Sequence, residues 1–516
     1  MGRFNVSRRW FIGGAASFGA FGGCRFFEDA AGASRGAPKL TFGVVSDIHI
    51  RYVSRPDAPD WDGYGSTDTF RRTLEWFRDQ GADAVLVAGD MADNGVVSQL
   101  EAVAQTWRTV FPDDRAPDGR RVERVFVYGN HDMGGLPYAR RWLLDHGVAD
   151  EAEMAKRIIY PDPKGVWERV FAEPYEPVFL KSVKGYSFVG AHWLARGCRG
   201  KDEAFNGAIG DFYARRGREL DPALPFFHVQ HPHPKNTCYG PWAWGRDVGL
   251  STKALSSRPN AIAFSGHSHY SLTDERTVWQ GAFTSVGTSS LRYGAMTQEE
   301  LAPVGYENTR APGPDAWRDD AEKLLPKFDA QDCRQGMLWR VYDDCIVVTR
   351  REFLSGLDVG PDWVLPLPAA ESRPFAFAER AKTIGAPSFA PGESLDVARK
   401  TAKNRGGKAP GGKGTDIAVR EREAFVATAP SAVDDPIARL FAVEFVAKGS
   451  DGTTRTKRAM AEGYNHGSGH AKAKARTACP FDAADFANCT TVRFTATPLN
   501  CFGRRGAPVV AELKVG

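Results

Sequence analysis

Nowhere in the 516 residues does a Cys-x-x-Cys spacing occur, which argues against a structural zinc knot. Cysteine is sparse throughout, with eight in all. After Cys24 seven remain (Cys198, Cys238, Cys333, Cys345, Cys479, Cys489 and Cys501), an odd number that cannot all pair within one chain. One pair among Cys479, Cys489 and Cys501 is open to disulfide formation in an oxidising compartment. Long apolar runs are missing too: beyond the first residues none approaches the ~20 positions of a membrane span. Strong charge of either sign is also absent. A net charge of +4 calls for neither a nucleic-acid partner nor an acidic membrane. The balance of 42% hydrophobic and 25% charged residues is ordinary for globular chains and supports a sizeable core. The length allows about two to four domains.

The N-terminus is set apart. Ser7-Arg8-Arg9-Trp10-Phe11-Ile12 opens a Gly/Ala-rich, mildly apolar stretch running to Gly23. Residues 1–33 resemble a twin-arginine export leader, with a basic tail as the alternative. Ala31-Gly32-Ala33 fits a small-x-small cleavage site, whereas Phe21 before Gly22-Gly23-Cys24 matches a lipoprotein signal poorly. Periplasmic or cell-surface location is expected, with a lipid anchor at Cys24 left open.

From Leu40 the pattern alternates. LTFGVVS is a short apolar run, as for a strand buried on both faces. Ser66 or Thr67 can cap a helix whose Phe70, Leu74 and Phe77 share one stripe, with Gly81 ending it. ADAVLVAGD predicts a second strand, residues 98–111 a second helix, and RVFVYGNHD a third strand. YSFVGAHW, LPFFHVQH and AIAFSGHSH follow as further strands. Alternating elements of this kind imply an α/β domain. Residues 356–373 are Pro-rich and without period, so they read as a linker. Beyond them, Phe441, Val443 and Phe445, then Val492 and Phe494, then Val509, Ala511, Leu513 and Val515 alternate with period two. These predict a small β-sandwich over residues 374–516. Arg399 to Lys413 is basic and Gly-rich, as in a solvated loop.

Each apolar run stops at a polar cluster: Asp47-x-His49, Gly89-Asp90, Gly129-Asn130-His131-Asp132, Gln230-His231-Pro232-His233 and Gly266-His267-Ser268-His269. Asp47 and His49 are two apart, so a strand carried to its end would point both the same way. Alone, a pair like that is more often an ordinary polar strand end. Five in this order, each closing a strand, resemble the calcineurin-like metallophosphoesterase family over roughly residues 40 to 350.

That resemblance implies a four-layer α/β/β/α sandwich over residues 38–355 and two divalent cations, Mn, Fe or Zn, suited to oxygen and nitrogen donors. Asp90 would bridge them. Asp47, His49 and His269 would complete one site; Asn130, His231 and His267 the other. His131 would act as general acid, with Asp132 holding its ring, or else serving as a turn residue. Attack by a metal-bridging hydroxide on a phosphate mono- or diester is the implied chemistry. Arg292, His233, Lys235 and His192 are candidate substrate contacts, each with a structural hydrogen-bonding role as an equal alternative; Asn236 and Tyr239 share the loop after His231. His146, His228, His466 and His470 read as structural or surface histidines. No Tyr follows Gly89-Asp90 at the position where purple acid phosphatases carry their colour-giving ligand.

The C-terminal region is loosely similar to fibronectin- or immunoglobulin-type modules. The expected substrates are a phosphorylated small molecule, lipid head group or glycan. Two other readings compete: a nuclease of the same family, disfavoured by the weak charge, and a surface protein whose sandwich binds glycan or protein.

Overall fold

Leu40, Phe42 and Val44 alternate with Gly43 and Val45, and this alternation sets the layers. The structure is a computed structural model that describes residues 35–51, 67–196, 203–239, 247–294, 333–403 and 421–515. The leader at 1–33, Cys24, Ser66, Cys198 and the basic stretch from 404 to 413 lie outside the described residues. In chain order the strands are β1 (Leu40–Val45), β2 (Ala84–Ala88), β3 (Glu123–Val127), β4 (Val178–Val183), β5 (Tyr186–Ala191), β6 (Phe226–Val229), β7 (Ala261–Ser265), β8 (Val278–Gln280), β9 (Thr284–Gly287), β10 (Gln335–Val341), β11 (Cys345–Glu352) and β12 (Trp363–Pro366). The C-terminal set follows: β13 (Asp396–Lys403), β14 (Glu421–Thr428), β15 (Ala442–Gly449), β16 (Thr454–Met460), β17 (Ala478–Asp482), β18 (Thr491–Leu499) and β19 (Val509–Lys514).

Two six-stranded sheets form the first part, ordered β12-β11-β10-β1-β2-β3 and β4-β5-β6-β7-β9-β8. β1, β2 and β3 are parallel, as are β5, β6, β7 and β9. The sheets pack face to face. Phe42 lies between them, its ring centroid 4.6 Å from Phe227, 5.4 Å from Phe188 and 5.9 Å from Trp339. Leu86, Val125, Ile262 and Phe264 fill the same layer. On the outer face Val45, Val85 and Val87 meet Phe70, Leu74 and Phe77 of helix α1 (Thr67–Asp79) and Leu100, Val103 and Trp107 of helix α2 (Val97–Val110). Gly43 has no side chain because the Phe77 ring lies over it; a Cβ there would overlap that ring. The helix Glu203–Arg216 covers the second sheet through Ile209, Phe212 and Tyr213. Helix, sheet, sheet and helix thus make the four layers. Each fully buried side chain of this size contributes about 1.5–3 kcal/mol over leaving it exposed.

The C-terminal region is all β. A three-stranded sheet β13-β14-β17 and a four-stranded sheet β16-β15-β18-β19 are both antiparallel. Phe425, Phe481, Phe445, Phe494, Val443 and Val492 fill the space between them. Tyr239 and Tyr270, from loops of the first part, join this same core. Residues 38–516 accordingly group as a single unit.

Three expectations change. The segment read as a linker carries β12, which pairs antiparallel with β11 at the edge of the first sheet. Trp363 and Leu365 are buried in alternation, and Pro366 is tolerated because an edge strand needs no donor on its outer side. The basic stretch begins as a strand: Arg399 pairs with Phe425 and Thr401 with Glu423 in register. Cys479, Cys489 and Cys501 are thiols, not half-cystines.

Candidate metal centre

β1, β2, β3, β6 and β7 end at one crevice, and the polar clusters sit just past those ends. β1 stops at Val45, two residues before Asp47. Asp47 and His49 both take left-handed backbone angles, φ 50° and 48°. They therefore converge through a twisted turn and not through strand alternation, which corrects the expectation from spacing alone. Asp90 (φ 54°), His267 (φ 71°) and His269 (φ 57°) repeat the feature. Each such angle costs an L-residue about 1–2 kcal/mol, and Asp, Asn and His tolerate it best. The turns are fastened to one another: the Asp47 N–H donates to the Gly89 carbonyl (3.0 Å) and the His49 N–H to the Asp90 carbonyl (2.9 Å). Gly129 and Gly266 are required by close approach, since a Cβ would overlap the Asp90 carboxylate at the first and the Asp47 carboxylate at the second.

Two groups of donors result. Asp47 Oδ1 and His269 Nε2 lie 3.1 Å apart, His49 Nε2 and His269 Nε2 3.1 Å, and Asp47 Oδ1 and His49 Nε2 3.7 Å. In the other, His231 Nε2 is 2.9 Å from Asn130 Oδ1 and 3.1 Å from His267 Nδ1. Asp90 Oδ2 joins them, 3.7 Å from His49 Nε2 and 3.3 Å from His231 Nε2. All seven residues are buried except His267, which is partly so.

The donor set fits divalent cations. Atoms each ~2.1 Å from one ion stand ~3.0–3.5 Å from each other, and these separations cluster there. Asp47 Oδ1 is buried with no hydrogen-bond partner. Two imidazole nitrogens 3.1 Å apart can share one proton at most; a cation between them satisfies both. Without cations, protons take their place. Burial opposes charge on His49, but the neighbouring Asp47 and Asp93 carboxylates push its pKa up to about 9. Burial likewise opposes charge on His231, and the Asp90 carboxylate pushes it up to about 9. Asp47 and Asp90 are held well below the usual carboxylate range despite burial, by His269 and His231 respectively. Burial and the His231 charge keep His267 well below the usual imidazole value.

Asp93 was not singled out by sequence, yet it backs the centre. Its Oδ1 lies 3.1 Å from His49 Nδ1, Arg51 and Arg292 pair with its carboxylate, and its carbonyl accepts from His131 Nδ1 at 2.7 Å. The only signal was a second carboxylate three residues after Asp90. Arg292, expected at substrate phosphate, is buried on Asp93. His131 sits edge-on to His49, ring centroids 4.5 Å apart, and keeps a third of its side chain exposed. Asp132 does not orient that ring. Its oxygens accept from the backbone N–H groups of Ala92 (2.7 Å), Gly129 (2.8 Å) and Met91 (3.3 Å). Burial, then the Asp90 charge, pushes its pKa up to about 7.

Two other candidates are packed away from solvent. His192 accepts from the Tyr128 N–H (3.1 Å) and stacks on Tyr175; burial takes it down to about 3. His233 bridges Ser265 Oγ (2.6 Å) and Ser268 Oγ (2.7 Å), bracing the turn that holds His267 and His269, and burial takes it down to about 3. Both lie in strand ends, where apolar neighbours left no trace of these partners. Lys235 and Asn236 are exposed on the next loop, while Tyr239 is buried.

Residues 40–271, which include all seven donors, match the calcineurin-like phosphoesterase family. They are a calcineurin-like phosphoesterase domain. The domain is that of a metal-dependent phosphoester hydrolase. Among solved structures similar to the chain are a dimetal phosphatase from Danio rerio (13% identity, 64% of this chain and 99% of that one, TM-score 0.32) and purple acid phosphatase PPD1 from yellow lupin, Lupinus luteus (12% identity, 64% and 55%, TM-score 0.36). A zinc-complexed Vps29 from Entamoeba histolytica is another (9% identity, 63% and 99%, TM-score 0.27). No curated protein matches the chain.

Proposed function

We propose that the phosphoesterase domain hydrolyses a phosphate mono- or diester at a pair of divalent cations, Mn, Fe or Zn. Asp47, His49, Asp90 and His269 would hold one; Asp90, Asn130, His231 and His267 the other. The observation that supports this best is the placing of Asp90 Oδ2 between the two donor groups, 3.7 Å from His49 Nε2 and 3.3 Å from His231 Nε2. Bound there, such cations supply Lewis acidity that neutralises phosphoryl oxygens and activates water.

The side chains do the rest. Asp90 uses its Oδ1 to accept the His131 N–H (2.8 Å), which fixes its other oxygen toward both sites. Asn130 contributes an oxygen without charge, so the centre stays attractive to an anion. The Asp93 carbonyl accepts a hydrogen bond from the Nδ1–H of His131 and turns Nε2 the other way. Burial holds the His131 pKa below its usual value. A proton at Nε2 is then weakly held and passes readily to a leaving-group oxygen.

Export by the twin-arginine route is part of the reading, because that route carries folded protein with its cations already in place. A phosphorylated small molecule, lipid head group or glycan outside the cytoplasm is the substrate class, and a lipid anchor at Cys24 is compatible with it. The test is hydrolysis of p-nitrophenyl phosphate against its bis-ester by chain reconstituted with each metal. Turnover with one substrate separates mono- from diesterase; inertness on both with every metal overturns the reading.

A further inference from the structure

A second set of ligating side chains lies outside the catalytic crevice. Cys333 precedes β10, Glu352 ends β11 and His466 belongs to the loop after β16. Gln335 and Glu352 are register partners across the hairpin, and Cys333 is two residues from Gln335. Residues opposite one another and two apart share a sheet face, so the thiol and the carboxylate are on one side. The loop carrying His466 is pressed onto that side. The Asn465 carbonyl accepts from Cys333 Sγ (3.0 Å), Gln335 Nε2 (2.9 Å) and Ser271 Oγ (3.1 Å), and the Tyr464 carbonyl from Thr273 Oγ1 (2.6 Å).

Sulfur, oxygen and nitrogen thereby come within 4.8 Å of one another, from three buried residues. Glu352 Oε2 stands 3.5 Å from His466 Nδ1. That is long for a hydrogen bond and close to the ~3.3 Å edge of a tetrahedron with ~2.0 Å zinc bonds. Glu352 Oε1 is buried and makes no hydrogen bond. It faces His470 Nε2 at 4.0 Å. His470 Nδ1 already accepts the Lys472 N–H (3.2 Å), so Nε2 carries the proton in the neutral ring. His470 therefore turns an N–H and not a lone pair toward the carboxylate, too far for a hydrogen bond, and does not ligate.

We propose that Cys333, Glu352 and His466 bind a zinc-type divalent cation distinct from the catalytic pair, clamping the C-terminal sandwich to the edge of the phosphoesterase sheets. On binding, the Cys333 thiol releases its proton to solvent and gives up its bond to Asn465; His466 ligates neutral through Nδ1. A thiolate, a carboxylate and an imidazole select zinc, cobalt or ferrous iron over magnesium or calcium.

Cobalt distinguishes the two centres, because the catalytic donors include no sulfur. Metal-stripped full-length chain is titrated with Co²⁺ and read for the thiolate-to-cobalt charge-transfer band in the near ultraviolet. The expected result is a band that reaches the intensity of one thiolate-bound Co²⁺ per chain, by three equivalents at most since the catalytic pair also takes up the ion, and that disappears on adding Zn²⁺. It is lost in Cys333→Ser, weakened at least tenfold in affinity in Glu352→Gln, and kept in Asp90→Asn. Absence of the band from wild-type chain with intact circular dichroism overturns the proposal. Its persistence in Cys333→Ser does so equally, by assigning the sulfur to another cysteine.

Discussion

Asp93 Oδ1 sits 3.1 Å from His49 Nδ1, on the side of the ring away from His269. A carboxylate so placed fixes the tautomer, leaves Nε2 as the ligating atom and raises its basicity. Despite burial, His49 first and then Arg292 and Arg51 hold Asp93 ionised, well below the usual carboxylate range. Asp93→Ala is expected to weaken cation binding at the Asp47–His49–His269 group by about 10–100-fold. Calorimetric titration checks this; an unchanged dissociation constant with a folded variant contradicts it.

His131 touches the site without joining either donor group. His131→Ala should lower kcat by about 10²–10⁴-fold while metal content per chain stays as in wild type. Elemental analysis beside steady-state kinetics makes the comparison. Loss of metal in the variant would make His131 a ligand.

Protons and cations compete for the same nitrogens. His49 and His231, each held at about 9 without metal, are charged below that pH and must lose their protons to ligate. Cation affinity should therefore rise with pH up to about 9, by roughly tenfold per unit for each proton displaced. Competition with a chelator of known affinity at several pH values measures the slope. A flat profile would refute it.

Acid should destabilise the fold through buried histidines outside the donor set. His192 and His228 are buried neutral, with pKa values taken down by burial to about 3 and about 4 from 6.5. Below pH 6.5 the unfolded chain binds protons that the folded one refuses, so stability falls as pH drops, until the folded values are reached. Each group adds about 1.4 kcal/mol per pH unit within that window. His228 is held by Tyr213 Oη (2.9 Å) and Gln230 Oε1 (3.0 Å). In His228→Gln the fall of stability between pH 6 and pH 4.5, followed by urea denaturation, should lose about one proton's worth of slope. Equal slopes in the two proteins would show that His228 does not titrate on unfolding.

The residues that cluster in the crevice were legible because carboxylates and imidazoles that break off apolar runs have no packing reason to be there. Their geometry was not. Asp47 and His49 look like a strand pair in sequence, but β1 ends before them and left-handed turns bring them together. His192 and His233 were misleading for the opposite reason: they follow strands as the donors do, yet the Tyr175 ring and two serine hydroxyls enclose them. Asp93 needs a neighbour distant in sequence to reveal its role, since Arg292 lies 199 positions away. Period two exposed the sandwich, while prolines disguised the edge strand Trp363–Pro366.

Tyr270 follows His269 directly, and its ring packs edge-on against Tyr239, centroids 4.8 Å apart, inside the C-terminal core. The loop bearing a proposed cation ligand is thus upholstered from behind by the appended sheets. Amputating them after residue 373 would bare Tyr239 and Tyr270 to water, the second of them one peptide bond from His269. The appended sheets are consequently part of the packing that backs the crevice.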